Sequence, residues 1–327
     1  MRTAPLEIRR SRQEDVPGVL ALLRHSLGWP DDVRYEELFA WKHRDNPFGA
    51  SPAWVALDGD KIVGLRILMR WEFEQAARVA RSVRAVDTAT HSDYRGRGVF
   101  SDLTLRAIDE LESEQVAFVF NTPNAQSRPG YLKMGWRIVG RLPLVVRPRS
   151  ARALGRMMRA RTPAERWSAP SEMGMPASEV LAEHDTIARL LSSRARSFRM
   201  RTRATPEYLR WRYGSPLVEY RAVLPPEGLE TGLVILRVRR RGQAREAVLC
   251  EILAADDDAH LRRHLVRQVV RAVDADYVIG IDARVICPEG LVRLPRQGPI
   301  LAWRGLGQPA MPTLRDWNVT LGDVELF

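Results

Sequence analysis

Arg95-Gly96-Arg97-Gly98 is the run in this chain whose residue types and spacing most plainly do chemistry, and Val99-Phe100 follow it directly. Glycines at 96 and 98 let the backbone take positive φ and approach a ligand closely. Arg95 and Arg97 add charge-assisted hydrogen bonds. Where a helix starts just after such a loop, its open N–H groups and its dipole favour negative charge at the same spot. The chemistry of that combination is capture of a pyrophosphate. A surface turn also uses Gly-Arg-Gly, so the specificity must come from the elements on either side.

Those elements are legible. Residues 82–89 read as a strand leading into the loop, and 99–113 as a helix with Phe100, Leu103, Ala107, Ile108 and Leu111 on one face. A strand at 117–121 follows, then a short helix near 127–134 and a strand pair from 136 to 146. Ahead of the loop, residues 6–9 read as a strand. Ser11 and Glu14 fit a capping box before a helix that buries Val16, Val19, Leu20 and Leu23. A second helix is expected at 32–42, and strands at 53–57 and 62–69 joined by the turn Asp58-Gly59-Asp60. This order predicts a mixed α/β sheet flanked by helices.

The strand, loop and helix together resemble the cofactor loop of the GNAT acyltransferase superfamily, whose pattern is Gln/Arg-x-x-Gly-x-Gly/Ala. Arg95 and Gly98 match it, Gly96 matches a common extra glycine, and Phe100 stands where the family usually has Gly or Ala. A second block, Phe118-Val119-Phe120-Asn121-Thr122-Pro123-Asn124 with Tyr131-Leu132-Lys133-Met134-Gly135-Trp136, is similar to a later motif of the family. There the strand splays from its neighbour and a Tyr-x-x-x-Gly-aromatic segment lies beside the thioester. The Pro-Asn, Tyr and Gly-Trp version resembles a bacterial subgroup of largely unassigned acyltransferases.

The resemblance covers about residues 6–146. It implies a GNAT fold with a central mixed, mostly antiparallel sheet, acetyl-CoA as co-substrate, and direct transfer of an acyl group to an amine. The acceptor would be an amino sugar, a small metabolite or a peptide amine. Carried over by position, Val86, Thr88, Ala89, Arg95, Gly96, Arg97, Gly98, Val99, Phe100, Asn121 and Asn124 would contact the cofactor. Backbone N–H groups around Thr88 and Ala89 would hold the pantetheine arm and polarise the carbonyl.

Thioester aminolysis needs a proton taken from the amine, a polarised carbonyl and a proton given to the departing thiolate. Tyr131 matches the family's general-acid tyrosine; the plainer reading is a tyrosine packed under Trp136. Asp87 sits just before the loop, where a general base fits, and a structural hydrogen-bonding role fits equally. His91 lies further into the loop. Asn121 and Asn124 suit either ligand binding or turn capping.

The second half carries a partial internal repeat. Trp41-Lys42-His43 before Asn46-Pro47 and a strand is echoed by Trp211-Arg212-Tyr213 before Ser215-Pro216 and a strand. Later come a strand at 247–254, a helix at 260–273 and a strand at 277–281. The counterpart of the cofactor loop is Ala254-Ala255-Asp256-Asp257-Asp258, without glycines and with three carboxylates that would repel pyrophosphate. These fit a capped helix start. The expected organisation is therefore a catalytic domain at 1–147, a helical linker at 148–200 and a second, degenerate GNAT-like domain at 201–327. Within the linker, 147–160 reads as a basic amphipathic helix, with Leu154, Met157 and Met158 on one side, that either packs this side on a neighbour or lies on a membrane surface or an acidic polymer, and 162–178 reads as a connection. The stretch 316–323 resembles chain ends of similar two-domain bacterial proteins and is expected to complete a cleft.

Bulk properties bound the rest. A length of 327 residues suits two domains, and 45% hydrophobic content excludes a disordered chain. There is no apolar run of membrane-spanning length and no apolar leader, so a cytoplasmic protein is expected. Cys250 and Cys287 imply no disulfide framework, and the six histidines lack ligand spacing, so no metal is expected. The +11 charge comes almost entirely from arginine. It suits an anionic cofactor, and no helix-turn-helix or RNA-motif pattern points to nucleic acid. The alternative function is a non-catalytic protein binding acyl-CoA or nucleic acid. A monomer and a homodimer both remain open.

Overall fold

A computed structural model describes residues 6–76, 78–281, 290–307 and 310–325; Cys287 lies outside them. In chain order the elements begin with β1 (Glu7–Arg10), α1 (Val16–Leu27), α2 (Val33–His43), β2 (Ala53–Asp58), β3 (Lys61–Gln75) and β4 (Arg78–Thr90). Next come α3 (Val99–Ser113), β5 (Phe118–Asn121), α4 (Arg128–Lys133), β6 (Arg137–Arg141), β7 (Leu144–Pro148), α5 (Ala151–Arg159), β8 (Met175–Pro176) and α6 (Ala177–Val180). Then follow α7 (His184–Ser193), β9 (Arg201–Thr202), α8 (Pro206–Tyr213), β10 (Arg221–Val223), β11 (Gly232–Arg241) and β12 (Ala244–Ala254). The last are α9 (Ala259–Ala272), β13 (Tyr277–Ile281), β14 (Val292–Arg293), β15 (Ile300–Gly305) and α10 (Leu321–Val324).

Two compact units divide the chain. One comprises Met1–Phe73, Val79–Val139 and Ile300–Pro312; the other comprises Glu74–Arg78, Gly140–Pro299 and Thr313–Phe327.

The sheet of the first unit runs β1-β2-β3-β4-β5-β15-β6. β1 and β2, β2 and β3, and β5 and β15 pair antiparallel, whereas β4 and β5 pair parallel because α3 crosses over between them. Alternation along β2 splits its side chains between two cores. Trp54 and Ala56 join Leu103, Ala107, Ile108 and Leu111 of α3, while Val55 and Leu57 join Val19, Leu20 and Leu23 of α1. This is the mixed, mainly antiparallel, helix-flanked sheet expected from the sequence. The α3 side approaches β3 so closely that a Cβ on Gly64 would lie 2.5 Å from Cγ1 of Val99 and 2.9 Å from Cδ1 of Leu103. Gly64→Ala is therefore expected to destabilise the unit by about 1–3 kcal/mol, read from chemical denaturation, because neither branched neighbour can withdraw freely.

The sheet of the second unit runs β14-β7-β13-β12-β11-β10-β8. Its element order α8, β10, β11, β12, α9, β13 matches α2, β2, β3, β4, α3, β5 of the first. β12 and β13 pair parallel over three residue pairs, as β4 and β5 do. The basic residues that mark the repeat are both buried, Lys42 at 1% and Arg212 at 1% exposure, but they serve different partners. Lys42 meets Asp87, whereas Arg212 donates to the backbone oxygens of Gly322 and Glu325 at 3.0 and 2.9 Å. The 316–323 stretch accordingly ends in buried structure, where Asp323 accepts from the Thr202 hydroxyl at 2.7 Å. The Asp258 side chain caps α9 by accepting from the His260 amide at 2.7 Å.

Four expectations change. Ser11 and Glu14 form no capping box; Asp15 takes that place, accepting from the Arg12 amide at 2.6 Å and pairing with Arg9 at 2.7 Å. The strands after Trp136 are not a pair, since β6 lies in the first sheet and β7 joins β13 in the second. α5 buries Ala153 and leaves Leu154 and Met158 at 43% and 68% exposure, so the methionine side is not its packing face. β3 and β4 extend well past 69 and before 82, and β11 and β15 have no counterpart in the sequence reading.

Candidate active site

Thr90 ends β4, a single 3-10 turn spans Ser92–Tyr94, and α3 starts at Val99. Between them Gly96 has φ +75° and Gly98 φ +84°, backbone that side chains rarely adopt. Gly98 is the N-cap of α3, and no side chain caps that helix start. Arg95 and Arg97 are exposed, with the Arg97 guanidinium 4.8 Å from the Tyr94 ring centroid. The loop therefore presents two cations and uncapped helix N–H groups.

The other proposed cofactor residues divide by location. Val99 and Ala89 are core, packed on the α3 side and the α1 side of the sheet respectively. Phe100 turns its ring onto Tyr131, edge to face at 5.3 Å, and fills the space beside Gly130, where a Cβ would lie 2.9 Å from it. Val86 is half-buried on β4. The Asn124 side-chain oxygen accepts from the amides of Gln126 and Ser127 and from the Ser127 hydroxyl, which is turn capping ahead of α4. Asn121 differs: it is 3% exposed, and its Oδ1 has no hydrogen-bond partner among the described residues. It lies just beyond the last parallel pair, Arg84 with Phe120, where β4 and β5 stop pairing. A buried acceptor without a partner at the point where two strands stop pairing can take a ligand N–H.

Two side-chain clusters lie on β4. In the first, Asp87 holds an unusual positive φ of +42° and points its carboxylate at α2. Its Oδ2 accepts from the Lys42 ammonium and lies 2.8 Å from Nε2 of His43, whose Nδ1 is 3.0 Å from the Ser51 hydroxyl. Burial alone would raise the Asp87 pKa; the Lys42 charge and the His43 hydrogen bond outweigh it and hold the carboxyl well below its usual range. Burial pushes His43 below its ordinary value, against the pull of Asp87.

In the second cluster, Tyr131 is 5% exposed and its hydroxyl accepts from Nη1 of Arg66 at 2.8 Å; the same Nη1 donates to Thr88 Oγ1. Trp136 packs on the Tyr131 ring at 5.1 Å. The structure thus brings Thr88, Phe100 and Tyr131 together around Arg66, and leaves Asp87 on its own group of partners. Lys42, His43 and Arg66 did not emerge from sequence as site residues. Their signal was a charge inside an apolar pattern: Arg66 interrupts Leu65, Ile67, Leu68 and Met69.

The sequence from 7 to 139 matches the family model of an acetyltransferase (GNAT) domain. No curated protein matches the chain by sequence. Among solved structures the chain is similar to a conserved protein from Enterococcus faecalis V583 described as a "Probable N-Acyltransferase", with TM-score 0.66 and 11% identity over 93% of this chain and 73% of that one. It is also similar to GCN5-related N-acetyltransferases from Anabaena variabilis (TM-score 0.64, 12% identity, 92% and 73% covered) and Kribbella flavida (0.61, 16%, 93% and 72%). At these identities the structural likeness speaks for fold. Among the described residues no helix is long and apolar enough to cross a membrane.

Proposed function

Residues 7–139 are a GNAT acetyltransferase domain, and from that premise we propose that the chain moves an acetyl group directly from acetyl-CoA to a small amine or amino sugar. The observation that carries this reading is the loop from Arg95 to Gly98, with two positive-φ glycines opening an uncapped helix. It offers a pyrophosphate backbone N–H groups, a helix dipole and two guanidiniums at once. The pantetheine arm is assigned to the point where β4 and β5 stop pairing, with the unpartnered Asn121 Oδ1 as a polar contact there.

Tyr131 acts as the general acid that protonates the departing sulfur. Asp87 is a weaker choice as base. A carboxylate paired with a buried ammonium and held far below neutrality takes up a proton poorly. Its role here is to anchor α2 to β4, and the amine proton leaves to water. The second unit is read as a GNAT-like scaffold without a cofactor loop, since Asp257 and Asp258 are committed to Arg201 and to the start of α9.

Gly98→Ala tests the loop. An alanine at φ +84° costs about 1–2 kcal/mol; the exposed free loop relaxes from that φ and binding must restore it, so the acetyl-CoA Kd measured by calorimetry is expected to rise roughly tenfold with thermal stability little changed. The activity is tested by release of CoA thiol across amino sugars, metabolite amines and peptide amines. Amine-dependent release is expected. Tight acetyl-CoA binding with no release on any amine would favour a non-catalytic acyl-CoA-binding protein, and DNA affinity falling steeply with salt would favour a nucleic-acid partner.

A further inference from the structure

Arg66 lies in the middle of β3 with none of its surface exposed. Its guanidinium carbon is 5.3 Å from the Tyr131 ring centroid and 5.9 Å from that of Phe100. Nη1 bonds the Tyr131 hydroxyl and Thr88 Oγ1, while Nε and Nη2 are buried without an acceptor among the described residues. No carboxylate among the described residues pairs with it. A guanidinium buried without an anion is costly, and the two aromatic faces offset only part of that cost. Structure alone gives little reason for it: a leucine or methionine would fill the same apolar strand position. A fixed cation aimed at an atom where negative charge develops is, by contrast, what electrostatic preorganisation requires.

We propose that Arg66 is a positioning residue for the acid step, acting through Tyr131. This rests on the reading of Tyr131 as general acid. By donating Nη1–H to the phenolic oxygen, Arg66 occupies the acceptor side of that oxygen, so the phenolic proton is directed away from Arg66. In the step itself the amine nitrogen forms the new C–N bond and releases its proton to water. The C–S bond breaks with its electron pair going to sulfur, and sulfur takes the Tyr131 proton. The products are amide, CoA thiol and a phenolate, which the Arg66 charge holds until water reprotonates it. The shared bond to Thr88 ties this pair to the segment of β4 that the proposed function assigns to the thioester.

The test is a double-mutant cycle in kcat with acetyl-CoA and the best amine found for wild type. Arg66→Gln is expected to lower kcat roughly 100-fold, the loss typical of one preorganised donor, with the KM for acetyl-CoA within a few-fold. Arg66→Lys is expected to recover part of the loss, since it keeps the charge. In the Tyr131→Phe background, Arg66→Gln is expected to cost little further, because a residue acting through Tyr131 has nothing left to act on. A full additional loss in that background, or a rise in KM with kcat unchanged, would overturn the proposal. If Arg66→Gln does not fold by circular dichroism, Arg66→Met, which removes the charge and fills the apolar strand position, carries the same cycle. Failure of the Tyr131 reading shows separately, as Tyr131→Phe retaining wild-type kcat.

Discussion

Tyr131→Phe is expected to lower kcat by roughly 100- to 10,000-fold, the range of a lost general acid, with the acetyl-CoA Kd unchanged. The substitution removes one oxygen and leaves the packing: the ring keeps its contacts with Trp136 at 5.1 Å and Phe100 at 5.3 Å. What it removes is the proton donor and the acceptor of the Arg66 bond. Leaving that guanidinium with one partner fewer costs about 1–3 kcal/mol of stability, so the melting temperature is measured alongside. If the tyrosine were only a packed ring under Trp136, kcat would follow the small stability change and stay near wild type.

Asp87→Ala carries the largest expected effect on stability, a loss of about 3–5 kcal/mol. The Lys42 and Asp87 side chains are 1% and 9% exposed, so little water reaches the ammonium in place of the lost carboxylate. Asp87→Ala combined with Lys42→Met is expected to be more stable than Asp87→Ala alone, since the buried ammonium that has lost this carboxylate goes too. Equal loss in the single and double variants would show that the pair is not coupled. The sign of the pH dependence follows from the direction of each shift. Asp87 is depressed, so its contribution is complete above the ordinary carboxylate value near 4 and is lost as pH falls below it. His43 is also depressed, so below about 6.5 the unfolded chain gains a proton that the folded chain refuses, and stability declines from there downward. Denaturant midpoints from pH 8 to pH 4 should show the His43 part, and His43→Gln should flatten it.

Local patterns carried much of the fold and less of the site. The spacing of Leu103, Ala107, Ile108 and Leu111 gives α3 with its bounds, and the glycines of the loop take the positive φ that their type suggests. Non-local pairing was not legible. Nothing in residues 136–148 says that β6 and β7 enter different sheets, or that β15, more than 170 residues after β5, pairs beside it. Those choices are made by side chains far away in sequence. The same holds for the site: Asp87 is visible as a carboxylate before a loop, but its partners come from α2, 44 and 45 positions earlier. Asn124 shows the reverse, since a local rule, turn capping, accounts for its side-chain oxygen.

The most direct test of acyl transfer is mass spectrometry of a single reaction containing the full chain, acetyl-CoA and the amine panel, with product and intact protein weighed together. The expected result is an acetylated amine formed in step with free CoA while the protein mass stays unchanged, as direct transfer from a cofactor seated on the loop from Arg95 to Gly98 requires. Acetyl-CoA bound by the chain with every amine left unmodified, or an acetyl group accumulating on the protein itself, would contradict it.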